Sequence, residues 1–121
     1  MRIEVLTFEG CPNAEGTGEL VRQAVRLEAV DATIEFIVVN TPDDAQQMGF
    51  CGSPSVRVDG EDVEPSANSK GPYGLMCRMY RFGSEFSGKP SIAMIRAAIR
   101  RGIRTSRARK DAHDAQQFES V

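Results

Sequence analysis

A cysteine followed by a proline, Cys11-Pro12, stands where the strand-like run MRIEVLT gives way to a helix-forming stretch. A thiol at the start of a helix feels the helix dipole and the unpaired N–H groups of the first turn. Both favour the thiolate, which is the form that attacks disulfides and binds soft metals. Three positions on, where a second thiol would resolve a mixed disulfide, the residue is Ala14. A two-thiol cycle cannot run inside this motif. Single-thiol exchange, soft-metal binding, a lost activity and a thiol that merely packs as a small hydrophobe all stay open.

The other titratable groups narrow the choices. Cys51 lies three residues before Pro54, in the run FCGSPSVRVDG, and reads either as a second thiol of the site or as a buried loop residue. Cys77 alternates with Leu75 and Met79 in the run LMCRMYRF, which places it on the apolar face of a strand as a buried hydrophobe. Asp59, Asp62 and Glu64 follow a strand and read as exposed hairpin acids rather than as catalysts. The one histidine, His113, falls in a polar tail, so no Cys–His pair is expected. The chain has no zinc-type C-x-x-C and no Gly-rich phosphate loop.

The 121 residues suit one domain with a single core. No apolar run approaches the roughly 20 residues that span a bilayer, and no signal-peptide pattern opens the chain. Three cysteines are too few for a secreted disulfide framework, so a reducing compartment, the cytoplasm, is expected. Charge is uneven. Residues 1–95 carry 8 Lys/Arg against 14 Asp/Glu, whereas residues 96–110 carry seven basic groups and no acid. Such a cluster reads first as a solvated helix end. A nucleic-acid site is not expected, since no aromatic residue interleaves it for base stacking.

The elements that must position these groups follow from periodicity. Arg2 to Phe8 alternates with apolar groups on both faces, as a central strand of a covered sheet does. Pro12 suits the first turn of the next helix, which Gly16 and Gly18 weaken until the stripe Leu20, Val21, Ala24, Val25 and Leu27 takes over. Thr33–Val39 is a second strand. Thr41-Pro42-Asp43-Asp44 starts a short second helix that Gly49 and Gly52 end. Ser55–Val58 is a third strand, stopped by the turn signal Asp59-Gly60. Residues 64–74 read as loop, Leu75–Phe82 as the fourth strand at the edge beside the third, and Ile92–Ile103 as the last helix. The expectation is an α/β fold, βαβαββα, with a mixed four-stranded sheet and helices on both faces. It fills residues 1–104, and residues 105–121 form a polar, partly basic tail.

This order, with Gly10-Cys11-Pro12 after the first strand and Gly52-Ser53-Pro54 before the third, resembles the thioredoxin-like superfamily over residues 2 to 102. Within it, FCGSPSVRVDGEDVEP followed by YGLMCRMYR is similar to a group of small proteins that carry the name alkylmercury lyase. The resemblance implies that Cys11 is the nucleophile and that Pro54 is cis. It also implies that the Ser53-Pro54 loop faces the thiol, where Pro12, Ser53 and Pro54 would contact substrate and the Ser53 backbone could pair with an extended one. Cys51 then becomes the second thiol of the site. Cys77, two strand spacings of about 4.8 Å from the line of Cys11, lies too far for a disulfide.

Three functions fit. The first is thiol–disulfide exchange or reduction through Cys11, on a thiol or disulfide substrate that is either a small molecule or a protein. The second is a soft-metal or organomercurial protein. Cleaving a carbon–mercury bond needs two thiolates and a proton donor, and Cys11, Cys51 and a nearby acid would have to supply them. The third is a non-catalytic scaffold that binds a partner. No cofactor other than a soft metal such as mercury is expected.

Overall fold

A computed structural model describes residues 1–67 and 72–119, with side chains described as far as Lys110 apart from Ala67. In chain order the elements are β1 (Arg2–Thr7), α1 (Ala14–Glu28), β2 (Thr33–Val38), α2 (Pro42–Met48), β3 (Ser55–Val58) and β4 (Glu61–Asp62). A 3-10 turn (Pro65–Ala67), β5 (Tyr80–Phe82), β6 (Glu85–Ser87) and α3 (Ile92–Glu119) complete the chain. The main sheet runs β2-β1-β3-β4. β1 pairs in parallel with β2, Ile3 opposite Ile34, and antiparallel with β3, Val5 opposite Val56.

Because β1 is paired on both sides, its alternating side chains feed two cores. Ile3 and Val5, with Val56 and Val58 of β3, bury against Val21 and Ala24 of α1 and Ile95, Ala98 and Ile99 of α3. Leu6 points the other way and packs with Val39, with Ala45 of α2 and with Phe50. Helices therefore cover both faces of a mixed four-stranded sheet. α2 begins and ends as its residues dictate. The Thr41 hydroxyl accepts the Asp44 N–H at 3.1 Å, Pro42 takes the first turn, and Gly49 closes the helix at φ 62°.

Four expectations change. The strand beside β3 is not 75–82 but the two-residue β4. Asp59 and Gly60 both adopt positive φ, 50° and 86°, the two-residue hairpin turn that sends the chain straight back along β3. Residues 80–82 form a separate hairpin with β6, Tyr80 opposite Ser87. α1 begins at Ala14, and Gly18 serves its packing rather than weakening it, since a Cβ there would lie 2.9 Å from the Phe36 ring. The helix expected to fade after Ile103 runs on to Glu119, because Ala, Arg, Lys and Gln sustain helix without an apolar stripe. Residues 104–110 are exposed along it. Asn68 to Gly71, within the loop read from sequence, lie outside the described residues, as does the side chain of His113. Among the described residues no helix is long and apolar enough to cross a membrane.

Candidate thiol site

Cys11 sits between two successive turns and not inside the helix. Its N–H donates to Phe8 C=O at 3.2 Å, closing a turn in which Gly10 takes φ 85°, the left-handed value a type II turn requires at that place. Its C=O accepts the Ala14 N–H at 3.3 Å, closing a second turn with Pro12 leading and Asn13 at φ −101°, ψ 2°. Pro12 thus belongs to this type I turn, where its fixed φ is preset, and not to the first turn of α1. Both backbone groups of Cys11 are held, while its side chain is partly exposed. The Asn13 side chain caps nothing; it packs against Gly88 in the loop after β6.

Ser53 lies beside this turn on the neighbouring strand line, two residues before Ser55, the partner of Leu6. The Ser53-Pro54 peptide bond is cis, and Ser53 is almost fully buried. Its Oγ accepts the Phe8 N–H at 3.3 Å. Phe8 therefore takes a hydrogen bond from Cys11 on its C=O and gives one to Ser53 from its N–H. This ties the Ser53 loop to the Cys11 turn through a single residue. The Ser53 backbone is already paired. Its N–H donates to Met76 C=O at 2.8 Å and its C=O accepts the Arg78 N–H at 3.0 Å, a parallel bridge with Cys77 opposite Ser53.

That bridge reverses the expected orientation of the 75–79 run. Leu75, Cys77 and Met79 are exposed, at 40% and 57% for Leu75 and Met79, whereas Arg78 and Tyr80 are buried. The buried-hydrophobe reading of Cys77 is therefore corrected, and the reason is electrostatic. Arg78 forms a two-pronged ion pair with Asp62, Nη1 to Oδ2 and Nη2 to Oδ1 both at 2.7 Å. It also donates to Ser55 Oγ at 3.1 Å and lies 4.3 Å from the centre of the Tyr80 ring. The Tyr80 hydroxyl donates to Pro54 C=O at 2.6 Å. A guanidinium this buried must face its carboxylate, so the residues that alternate with it face out. Asp62, expected as an exposed hairpin acid, is 5% exposed and is this partner. Burial, the largest single effect, opposes the charge on Arg78, but the Asp62 hydrogen bonds and the surrounding negative charge together outweigh it and hold the guanidinium above its ordinary range. Burial pushes the Tyr80 phenol up, against the pull of Arg78.

Cys51 is partly buried and directly precedes Gly52, whose backbone lies against Arg78. All three thiols are free. The structure thus joins the Ser53-Pro54 loop to the Cys11 turn through Phe8, leaves Cys51 partly buried one residue before Gly52, and turns Cys77 to solvent. Among the described residues no three His, Cys, Asp or Glu side chains converge as metal donors. Sequence reasoning missed Arg78, Tyr80 and Asp62. The available signal was an arginine in the middle of an otherwise apolar run, which needs a buried acid if it faces inward. Compared with known proteins, the chain matches no family model, no curated protein and no solved structure.

Proposed function

We propose that this chain is a thioredoxin-like thiol protein in which Cys11 carries thiol–disulfide exchange. The sheet order β2-β1-β3-β4, with helices on both faces, suits that superfamily. One observation carries the reading. Phe8 is hydrogen-bonded to Ser53 Oγ on one side and to the Cys11 N–H on the other, so the loop bearing the cis bond is held against the turn that presents the thiol.

In the reaction the Cys11 thiolate attacks one sulfur of a disulfide R–S–S–R′. A new bond forms between Cys11 Sγ and that sulfur, and the old S–S bond breaks. R′–S⁻ leaves and takes up the proton that Cys11 released. A second thiol then attacks the mixed disulfide and restores Cys11. Ala14 cannot serve in that step, so the resolving thiol is either Cys51 or a free low-molecular-weight thiol, which a reducing compartment supplies. The Cys11→Ser variant tests the reading. Exchange with a small disulfide should fall to the uncatalysed background while far-UV and thermal signatures stay unchanged. Exchange that persists in this variant would remove Cys11 from the role.

A further inference from the structure

We infer that the site serves low-molecular-weight disulfides and excludes extended polypeptides, because the chain's own Gly74–Arg78 segment already lies along the backbone edge beside the Cys11 turn. This rests on the exchange reading above. A polypeptide that docks in extended form needs unpaired N–H and C=O groups on the receiving backbone. Near Cys11 that backbone is the Phe50–Ser53 loop, since Ser53 touches Phe8, the residue that also holds the Cys11 N–H. At Phe50 and Ser53 those groups are taken. Phe50 C=O accepts the Gly74 N–H at 3.0 Å, and Ser53 is paired on both sides to Met76 and Arg78.

The strap lies tight against the loop. Gly52 adopts φ +126°, and a Cβ there would stand 2.8 Å from Arg78 Cβ and 3.3 Å from Arg78 Cα, so no further chain fits between them. The strap is also anchored. Lifting it would draw the Arg78 guanidinium away from Asp62 and Ser55, and Tyr80, two residues on, holds Pro54 from the same side. What remains open toward Cys11 is a partly exposed sulfur with no free main-chain edge at Ser53. A small disulfide reaches it by its own sulfur alone. The outer edge of the strap, at Cys77, could accept a strand, but one spacing of about 4.8 Å farther from Ser53.

The test uses the full chain with Cys51→Ser and Cys77→Ser, so that Cys11 is the one reacting thiol. Two mixed disulfides with the same leaving thiol, one on 2-hydroxyethanethiol and one on a short unstructured cysteine peptide, are compared by mass spectrometry of the Cys11 adduct. Amide hydrogen exchange at Ser53 and Arg78 is followed with and without the peptide. The peptide should react about tenfold or more slowly than the small disulfide, and both amides should stay protected when it is added. Gly52→Ala, which crowds the strap off the loop, should raise the relative peptide rate; if that variant does not fold, the parent protein decides alone. Peptide reaction as fast as the small disulfide would overturn the inference, and so would Ser53 and Arg78 amides that exchange without protection. If neither disulfide reacts, the exchange reading falls, while amide protection still decides whether the edge is occupied.

Discussion

At the scale of single residues, Arg78 organises more of this site than the cysteines do. Its two hydrogen bonds to Asp62 set which way residues 75–80 face, and the nearest other acid, Glu64, stands 3.6 Å away. Removing one member of such a pair strands a buried charge, which costs about 3–5 kcal/mol. Asp62→Asn should lower unfolding stability by that amount in a urea titration. Replacing both members with apolar residues of similar volume should recover much of it. Single and double variants of equal stability would mean that the pair does not hold the strap. The exposed Cys77 changes how the second thiol must be sought, because it can couple two chains and mask any internal bond. In the Cys77→Ser variant, mild oxidation should give an internal Cys11–Cys51 disulfide by peptide mapping. Dimers through Cys11 alone would assign Cys51 to packing.

At the scale of elements, one carboxylate clamps α1 to α3. Glu28, at the end of α1, accepts from Arg96 Nε at 2.6 Å and from Arg100 Nε at 2.8 Å, with its side chain only 9% exposed. The hydrogen bonds from Arg100 and then Arg96 hold the Glu28 carboxyl below its ordinary range, against a smaller opposing effect of burial. A carboxyl depressed in the folded state contributes stability that is complete above its unfolded pKa of about 4.3 and is lost as pH falls through the lower folded value. Melting temperature should therefore drop on acidification below about pH 4.3. Glu28→Gln should melt lower at neutral pH and lose less on acidification, so that the two curves converge. Parallel curves would show that the clamp adds nothing.

At the scale of the whole molecule, the fold closes on the sheet before α3 ends. Ile95, Ala98 and Ile99 are buried and Ile103 packs against the same core, whereas residues 104–110 are exposed. Deleting residues 105–121 removes basic groups and helix and, as far as Lys110, no buried side chain, so the melting temperature should shift by no more than about 4–8 °C, the effect of about 1 kcal/mol in a domain of this size. A larger collapse in a thermal melt would place part of that segment against the fold or against a second copy. The same separation between core and extension explains the charge distribution. Arg96 and Arg100 are paired with Glu28 and Arg101 donates to Val63 C=O, while Arg104, Arg107, Arg109 and Lys110 stand in solvent.

Whatever depends on near neighbours can be read from the order of residues alone. Alternation along Arg2–Phe8 made β1 a central strand with two buried faces, and Thr41-Pro42 with Gly49 bounded α2. Cys11-Pro12 was legible as the candidate nucleophile, though its place between two turns, and not on the helix, was not. Asp59-Gly60 announces a hairpin, and its partner strand is shorter and nearer than the alternation of residues 75–82 suggests. A two-residue turn returns the chain at once, so the partner of β3 had to be Glu61–Asp62 and not a strand some 15 residues later. Tertiary structure alone decided the orientation of residues 75–80. Alternation separates Leu75, Cys77 and Met79 from Met76, Arg78 and Tyr80 but does not say which set faces inward, and hydropathy favours the wrong one. The choice falls to the Asp62 carboxylate, 16 residues before Arg78 in the chain, whose bonds to the guanidinium outweigh the exposure of three apolar side chains.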